Sequence, residues 1–182
     1  CQTYEDNFGI KIDKYVHIDF YSFINIVNYV GGMTLYVSAA ERKVMNENYI
    51  TEINYMTSQP LEKDYLPIES GNVHMNGKQV LAYTRVRYVG GGDFGRTERQ
   101  RKVINELLRL VKTMKPSRFN KFAERSLTNV STNLSETEVM SLLMGASDYL
   151  DYETVSARVP IDKTHHSGKL QGAYVLIIDL KK

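Results

Sequence analysis

Apolar positions recur along this chain with two different periods, and the changes of period mark its elements. Residues 14–20 (KYVHIDF) alternate apolar and polar side chains with β-branched residues among them, which predicts a strand. Phe23, Ile26, Val27 and Val30 then fall at helical spacing, and Gly31-Gly32 supplies the C-cap of a helix over 22–30. Residues 33–37 (MTLYV) return to strand character. The resulting β-α-β unit predicts two strands that are neighbours or near neighbours in one sheet, with the hand of the connection open. The stretch 38–70 is polar, with Pro60 and Pro67, and reads as a surface excursion with one helix near 39–46. Asn76-Gly77 marks a turn, residues 78–84 a short helix with Val80, Leu81 and Tyr83 inward, and residues 85–88 an extended segment.

The clearest helix runs over 97–114. Thr97 and Gln100 have the spacing of a capping box, and Val103, Ile104, Leu107, Leu108, Val111 and Met114 form one apolar stripe. Pro116 stops it, and another helix is expected from Ser117. Ser135 and Glu138 form a second capping box, opening a helix to about 149 with Val139, Leu142, Leu143 and Ala146 inward. Residues 152–159 and 172–180 read as strands, the last one apolar enough to be central. The alternation points to an α/β fold, a layered domain with a central mixed β-sheet flanked by helices, spanning 1–182 as a single domain.

Composition narrows this little. The chain has 182 residues, 42% of them hydrophobic and 24% charged, which is ordinary for a globular protein with a real core. A net charge of +2 is too weak for bulk nucleic-acid binding. Cys1 is the only cysteine, so no intrachain disulfide is possible; it suits a lipidated first residue, but a chance boundary is the favoured reading. No apolar run reaches membrane-spanning length.

Charge distribution says more. Between Arg85 and Lys102 six cations face two acids, a local charge of +4 within a chain of +2. Arg85 and Arg87, two apart on an extended segment, share one face. Arg96 precedes the expected helix start at Thr97, where free N–H groups and the helix dipole favour an anion. Gly90, Gly91 and Gly92 would let the backbone approach a bulky ligand. Arginine forks in such a setting suit a phosphate-type anion. A solvated basic patch remains the alternative: Arg85 and Arg87 could pair with Glu69 or Asp64, Asp93 could only shape a turn, and Gln100 could only complete its box. Arg101 and Lys102 read as solvated. His17 reads as a packing or edge residue and His165-His166 as part of a flexible loop. No Ser/His/Asp set, Walker loop or dinucleotide fingerprint is present.

Three blocks, GIKIDKYVHIDFYSFINIVNYVGGMTLYV, GNVHMNGKQVLAYTRVR and GDFGRTERQRKVI, in this order, resemble the LytR–CpsA–Psr family of bacterial cell-envelope proteins. The resemblance covers residues 9–104, more weakly the final strands, and its specific core is R-x-R followed by D-x-x-R-x-x-R-Q. It implies a phosphotransferase outside the cytoplasmic membrane, moving a glycopolymer (teichoic acid, capsular or similar polysaccharide) from an undecaprenyl-pyrophosphate carrier to peptidoglycan. Arg85, Arg87 and Arg96 would be catalytic, clamping the pyrophosphate and stabilising phosphoryl charge. Asp93, Arg99 and Gln100 would bind substrate, Mg2+ would bridge the phosphates, and an apolar groove would take the polyprenyl chain. No nucleic-acid partner is implied by the residues. A non-catalytic module holding polyprenyl phosphate or anionic glycopolymer is the alternative.

Two departures accompany the resemblance. The family's earlier segment, with acidic metal-binding residues and a Pro-Arg-Asp motif, has no counterpart here, so the domain is expected to lack its N-terminal part and a membrane anchor within it. The metal ligands stay unassigned. Asn28 stands where the family commonly has an acid.

Overall fold

A computed structural model of the protein describes residues 2–127, 130–145, 152, 153, 155, 158, 160, 161 and 163–178. They divide into two compact units, Cys1–Tyr152 and Glu153–Lys182. The first unit opens with α1 (Gln2–Phe8), β1 (Val16–Ile18), α2 (Phe20–Val30) and β2 (Met33–Val37). Asp19 caps α2 by accepting from the Ser22 N–H at 2.8 Å, and Gly31 ends it in the left-handed region at φ 97°. Ile26, Val27 and Val30 turn inward as their spacing requires. Gly32, itself at φ 79°, must be glycine for a second reason: a β-carbon there would lie 2.5 Å from the Met75 carbonyl oxygen.

The pairing of these strands differs from expectation. β2 runs antiparallel to β3 (Gly71–Met75), from Met33 opposite Met75 to Val37 opposite Gly71. β1 pairs antiparallel with the later β4 (Val130–Thr132). Among the described residues the strands form three two-stranded antiparallel ladders, so the α/β class holds while the central mixed sheet does not.

The polar excursion is also structured. Ser38 and Glu41 form a capping box that opens α3 (Ala39–Val44), a π-helical turn follows over Met45–Ile50, and α4 (Thr51–Met56) continues the same rod. Met45, Ile50 and Ile53 are buried in the core. The step from 45 to 50 is five residues, a π-turn spacing that a 3.6-residue period does not detect. Buried Asn46 donates to the Leu66 carbonyl at 2.8 Å and accepts the Leu66 N–H at 2.9 Å, pinning the return of the loop.

Asn76, expected in a turn, caps α5 (Gly77–Arg85) in a box with Gln79. Gly77 approaches α2 so closely that a β-carbon would stand 2.2 Å from the Ile24 carbonyl oxygen. Asn28 accepts the Gly77 N–H at 2.7 Å, so the residue that departs from the family's usual acid closes α2 onto α5. Val80, Leu81 and Tyr83 are inward as expected. Burying a Val80-sized side chain contributes roughly 1.5–3 kcal/mol.

The long helix α6 (Gly92–Lys112) begins five residues before Thr97. Thr97 is therefore interior, its hydroxyl donating back to the Phe94 carbonyl at 2.9 Å, and the expected capping box with Gln100 does not form. The core face of α6 includes Arg99, Val103 and Val111, whereas Ile104 is exposed. Pro116 opens α7 (Pro116–Leu127), and the Ser135–Glu138 box opens α8 (Glu136–Met144) as expected. Lys14, followed by Ser135, holds the Glu138 carboxyl down at about 2 and ties the approach to β1 to this helix. Val139 is half-buried and Leu142 exposed, while Ala146 and the Leu143 side chain lie outside the described residues.

The second unit is a hairpin of β5 (His165–Leu170) and β6 (Ala173–Ile178), with Gln171 and Gly172 both at positive φ in the two-residue turn. The apolar strand expected to be central is thus one arm of a hairpin with mostly exposed side chains. His165 and His166 lie in a strand rather than a flexible loop. Of the strand expected over 152–159, residues 154, 156, 157 and 159 lie outside the described ones, and the others there are not in a strand.

Candidate functional site

Three guanidinium groups meet at one cleft of about 430 Å³, lined by Phe20, Tyr49, Thr84, Arg85, Arg87, Tyr88, Arg96 and Gln100. They arrive by a route different from the one the sequence suggests. Arg85 is the last residue of α5, not the first of a strand, and the helix ends at Val86 with ψ 119°. Arg87 follows on the bend between α5 and α6, and Arg96 comes from the second turn of α6. The helix end and the bend together aim Arg85 and Arg87 at the space that strand alternation was expected to provide.

Each arginine is oriented by a carboxylate. Arg85 Nη2 pairs with Glu52 Oε2 at 2.8 Å, and its guanidinium carbon lies 5.2 Å from the Phe20 ring centre and 5.1 Å from that of Tyr49. Arg85 Nη1 is buried without a hydrogen-bond partner. Asp93 bridges the other two, with Oδ2 2.9 Å from Arg87 Nη2 and Oδ1 3.0 Å from Arg96 Nη2. Asp93 is not among the residues that line the cleft. Gln100 Nε2 reaches the Thr84 carbonyl at 3.5 Å, a contact at the limit of hydrogen bonding. Arginine presents five N–H donors, so these single-nitrogen contacts leave donors on each fork for a ligand.

Arg99 is placed elsewhere. It is 4% exposed, it does not line the cleft, and its donors run inward to Glu41 and to carbonyls of the bend. The glycines also have a different task from the one expected. Gly90, Gly91 and Gly92 adopt φ of 65°, 89° and 57°, which makes the bend possible. They do not line the cleft, and the early start of α6 removes Arg96 from the helix's free N–H groups. Gly95 permits close approach of helix to bend, since a β-carbon there would lie 1.8 Å from the Gly90 carbonyl oxygen.

Sequence reasoning missed Phe20, Tyr49, Tyr88, Glu52 and Glu41. Glu41 had a legible signal, the Ser38-x-x-Glu41 spacing of a capping box. Burial would raise its carboxyl, yet hydrogen bonds from Arg99 and then Ser38 outweigh burial and hold it below its ordinary 4.5. The others have no local signal; they are brought in from α2, the π-turn, α4 and the bend by packing alone.

A metal site fits this donor set poorly. Among the described residues no three His, Cys, Asp or Glu side chains are grouped to hold an ion, and Asp93 is engaged by two arginines. Among those residues, too, no helix is long and apolar enough to cross a membrane.

Comparison with known proteins gives this geometry a context. The LytR_cpsA_psr family model matches residues 1–182. The chain is 32% identical over 143 residues, 78% of this chain and 33% of that protein, to the polyisoprenyl-teichoic acid–peptidoglycan teichoic acid transferase TagV of Bacillus subtilis. The TagV crystal structure aligns with a TM-score of 0.56 at 30% identity, covering 81% of this chain and 51% of that one. Biofilm regulatory protein A of Streptococcus mutans is 31% identical over 151 residues, 81% of this chain and 34% of that protein. Protein gbs0355 of Streptococcus agalactiae aligns with a TM-score of 0.66 at 26% identity, covering 97% of this chain and 55% of that one. The chain spans about a third of the length of these curated relatives.

Proposed function

This chain belongs to the LytR_cpsA_psr family, and we propose that it carries the pyrophosphate site of a glycopolymer–peptidoglycan phosphotransferase. TagV, by its name, acts on polyisoprenyl-linked teichoic acid and peptidoglycan, and the same substrate classes are proposed here. The observation that carries the reading is the meeting of Arg85, Arg87 and Arg96 at one cleft, with one Arg85 nitrogen buried and unpartnered. A pyrophosphate between lipid and glycopolymer answers that set of donors better than a single carboxylate does.

In the proposed step, a peptidoglycan hydroxyl oxygen attacks the phosphorus on the glycopolymer side. The new P–O bond forms as the bond to the lipid-side phosphate breaks, polyprenyl phosphate leaves with the electron pair, and the hydroxyl proton passes to water. Arg85, Arg87 and Arg96 hold the two phosphates and balance the charge that develops on the bridging and equatorial oxygens. Glu52 and Asp93 keep these forks oriented before substrate arrives. The expected Mg2+ finds no ligand cluster among the described residues, and no step is routed through it. The work is placed at the outer face of the bacterial cytoplasmic membrane, where lipid-linked polymer and peptidoglycan meet.

The test is transfer by the whole protein. Arg85→Ala or Arg96→Ala should lower the rate more than about tenfold while the melting temperature stays within a few degrees, because partly exposed ion pairs add little stability. Normal transfer by both variants would remove the assignment. One observation favours a binding module instead: among the described residues no carboxylate or histidine lines the cleft to serve as general base. Tight pyrophosphate-lipid binding with no transfer by the whole protein would select that reading.

A further inference from the structure

Behind the cleft lies a second arrangement that goes beyond the transfer step and rests on that reading only for its ligand. Arg99 Nε donates to Glu41 Oε1 at 2.7 Å, Nη1 to the Val86 carbonyl at 3.0 Å, and Nη2 to the Val89 carbonyl and, at 3.4 Å, to that of Gly90. One fork thus closes on three carbonyls of the bend that bears Arg87 and Tyr88. Arg99 itself rides on α6, one turn after Arg96. Glu41 is fixed in its turn: its Oε2 accepts from the Ser38 N–H at 2.9 Å and from the Ser38 hydroxyl at 2.7 Å.

A buried ion pair of this kind is a weak source of stability compared with apolar packing, and its best-attested use is to fix one arrangement among several. Here the arrangement fixed is the position of the bend relative to α6. We infer that Arg99, oriented by Glu41, is a positioning residue that pins the Val86–Gly90 bend to α6 and so sets Arg87 and Arg96 against the same phosphate. It touches neither cleft nor ligand. A lysine at this position would keep the charge but lose the planar fork that spans three carbonyls. The contact of Gly95 with Gly90 closes the same junction from the backbone side.

The experiment is a double-mutant cycle on the protein, with farnesyl pyrophosphate as the probe and calorimetric dissociation constants as the readout. Arg99→Lys should weaken binding about tenfold, and Arg87→Ala about tenfold in the wild-type background but less than about threefold once Lys replaces Arg99. Should Arg99→Lys fail to fold, Glu41→Gln, which keeps an oxygen for Arg99 Nε, takes its place in the cycle. An equal loss from Arg87→Ala in both backgrounds would overturn the inference. Amide hydrogen exchange gives a ligand-free arm: either variant should speed exchange over residues 86–95 and leave α2 and α5 unchanged. Uniform acceleration would overturn the clamp. Failure of the wild-type protein to bind the probe strikes the pyrophosphate reading instead, while the exchange data still decide the clamp.

Discussion

Arg96 and Arg99 stand three residues apart on the same helix and have opposite surroundings. The Arg96 side chain is 37% exposed, paired with Asp93 at 3.0 Å, and faces a cleft. Arg99 is 4% exposed and gives its hydrogen bonds to Glu41 and to backbone carbonyls. Residue type, charge and local spacing are the same for both. What separates them is the bend carrying Val86, Val89 and Gly90, which covers one position and leaves the other open. A basic cluster is therefore not one object: part of it faces an open cleft, and part of it is bonded inward to Glu41 and the bend.

This contrast can be broken most directly by truncation. Arg99→Ala leaves a mostly buried Glu41 and three carbonyls without their donor, and should lower unfolding free energy by about 3–5 kcal/mol in urea titration. Arg87→Ala, by the same measurement, should stay within about 0.5 kcal/mol. Similar losses from the two would erase the distinction between holding and binding. A smaller change tests the junction without touching charge. Gly95→Ala forces a β-carbon onto the Gly90 carbonyl oxygen and should destabilise by about 1–3 kcal/mol; wild-type stability in this variant would show that the bend is free to move off α6.

The mildest probe is acid. Glu41 is held below 4.5 when folded, so its ionised form favours the native state above that value. The contribution fades as pH falls from there through the lowered folded value. The stability gap between wild type and Glu41→Gln should therefore be widest near neutral pH and shrink below about 4.5. A gap that persists unchanged into acid would mean that the charge on Glu41 does not support Arg99.

Much of the local structure was legible beforehand, and the reasons are particular. α2 was marked by four apolar residues and a glycine cap, and α8 by its Ser135–Glu138 box, because those signals act within one or two turns. The start of α6 is not legible because Thr97 and Gln100 imitate a cap that Gly91 provides without any side chain. The π-turn was hidden because its apolar step of five residues matches neither period. The pairing of β1 is not legible from its neighbours, because β1 and β4, more than a hundred residues apart, meet by packing and not by adjacent sequence.

For the site itself, residue types and order alone were enough to locate a concentrated positive charge at 85–102 and to name Arg85, Arg87 and Arg96 together. Short-range chemistry is written in the chain, since a guanidinium binds anions wherever it is exposed. Exposure is not written there. Only the folded arrangement placed Phe20 and Tyr49 around Arg85, turned Arg99 inward against Glu41, and moved the glycines from ligand contact to helix contact. These outcomes depend on which distant segments exclude water from a given side chain, and that is settled when the core closes.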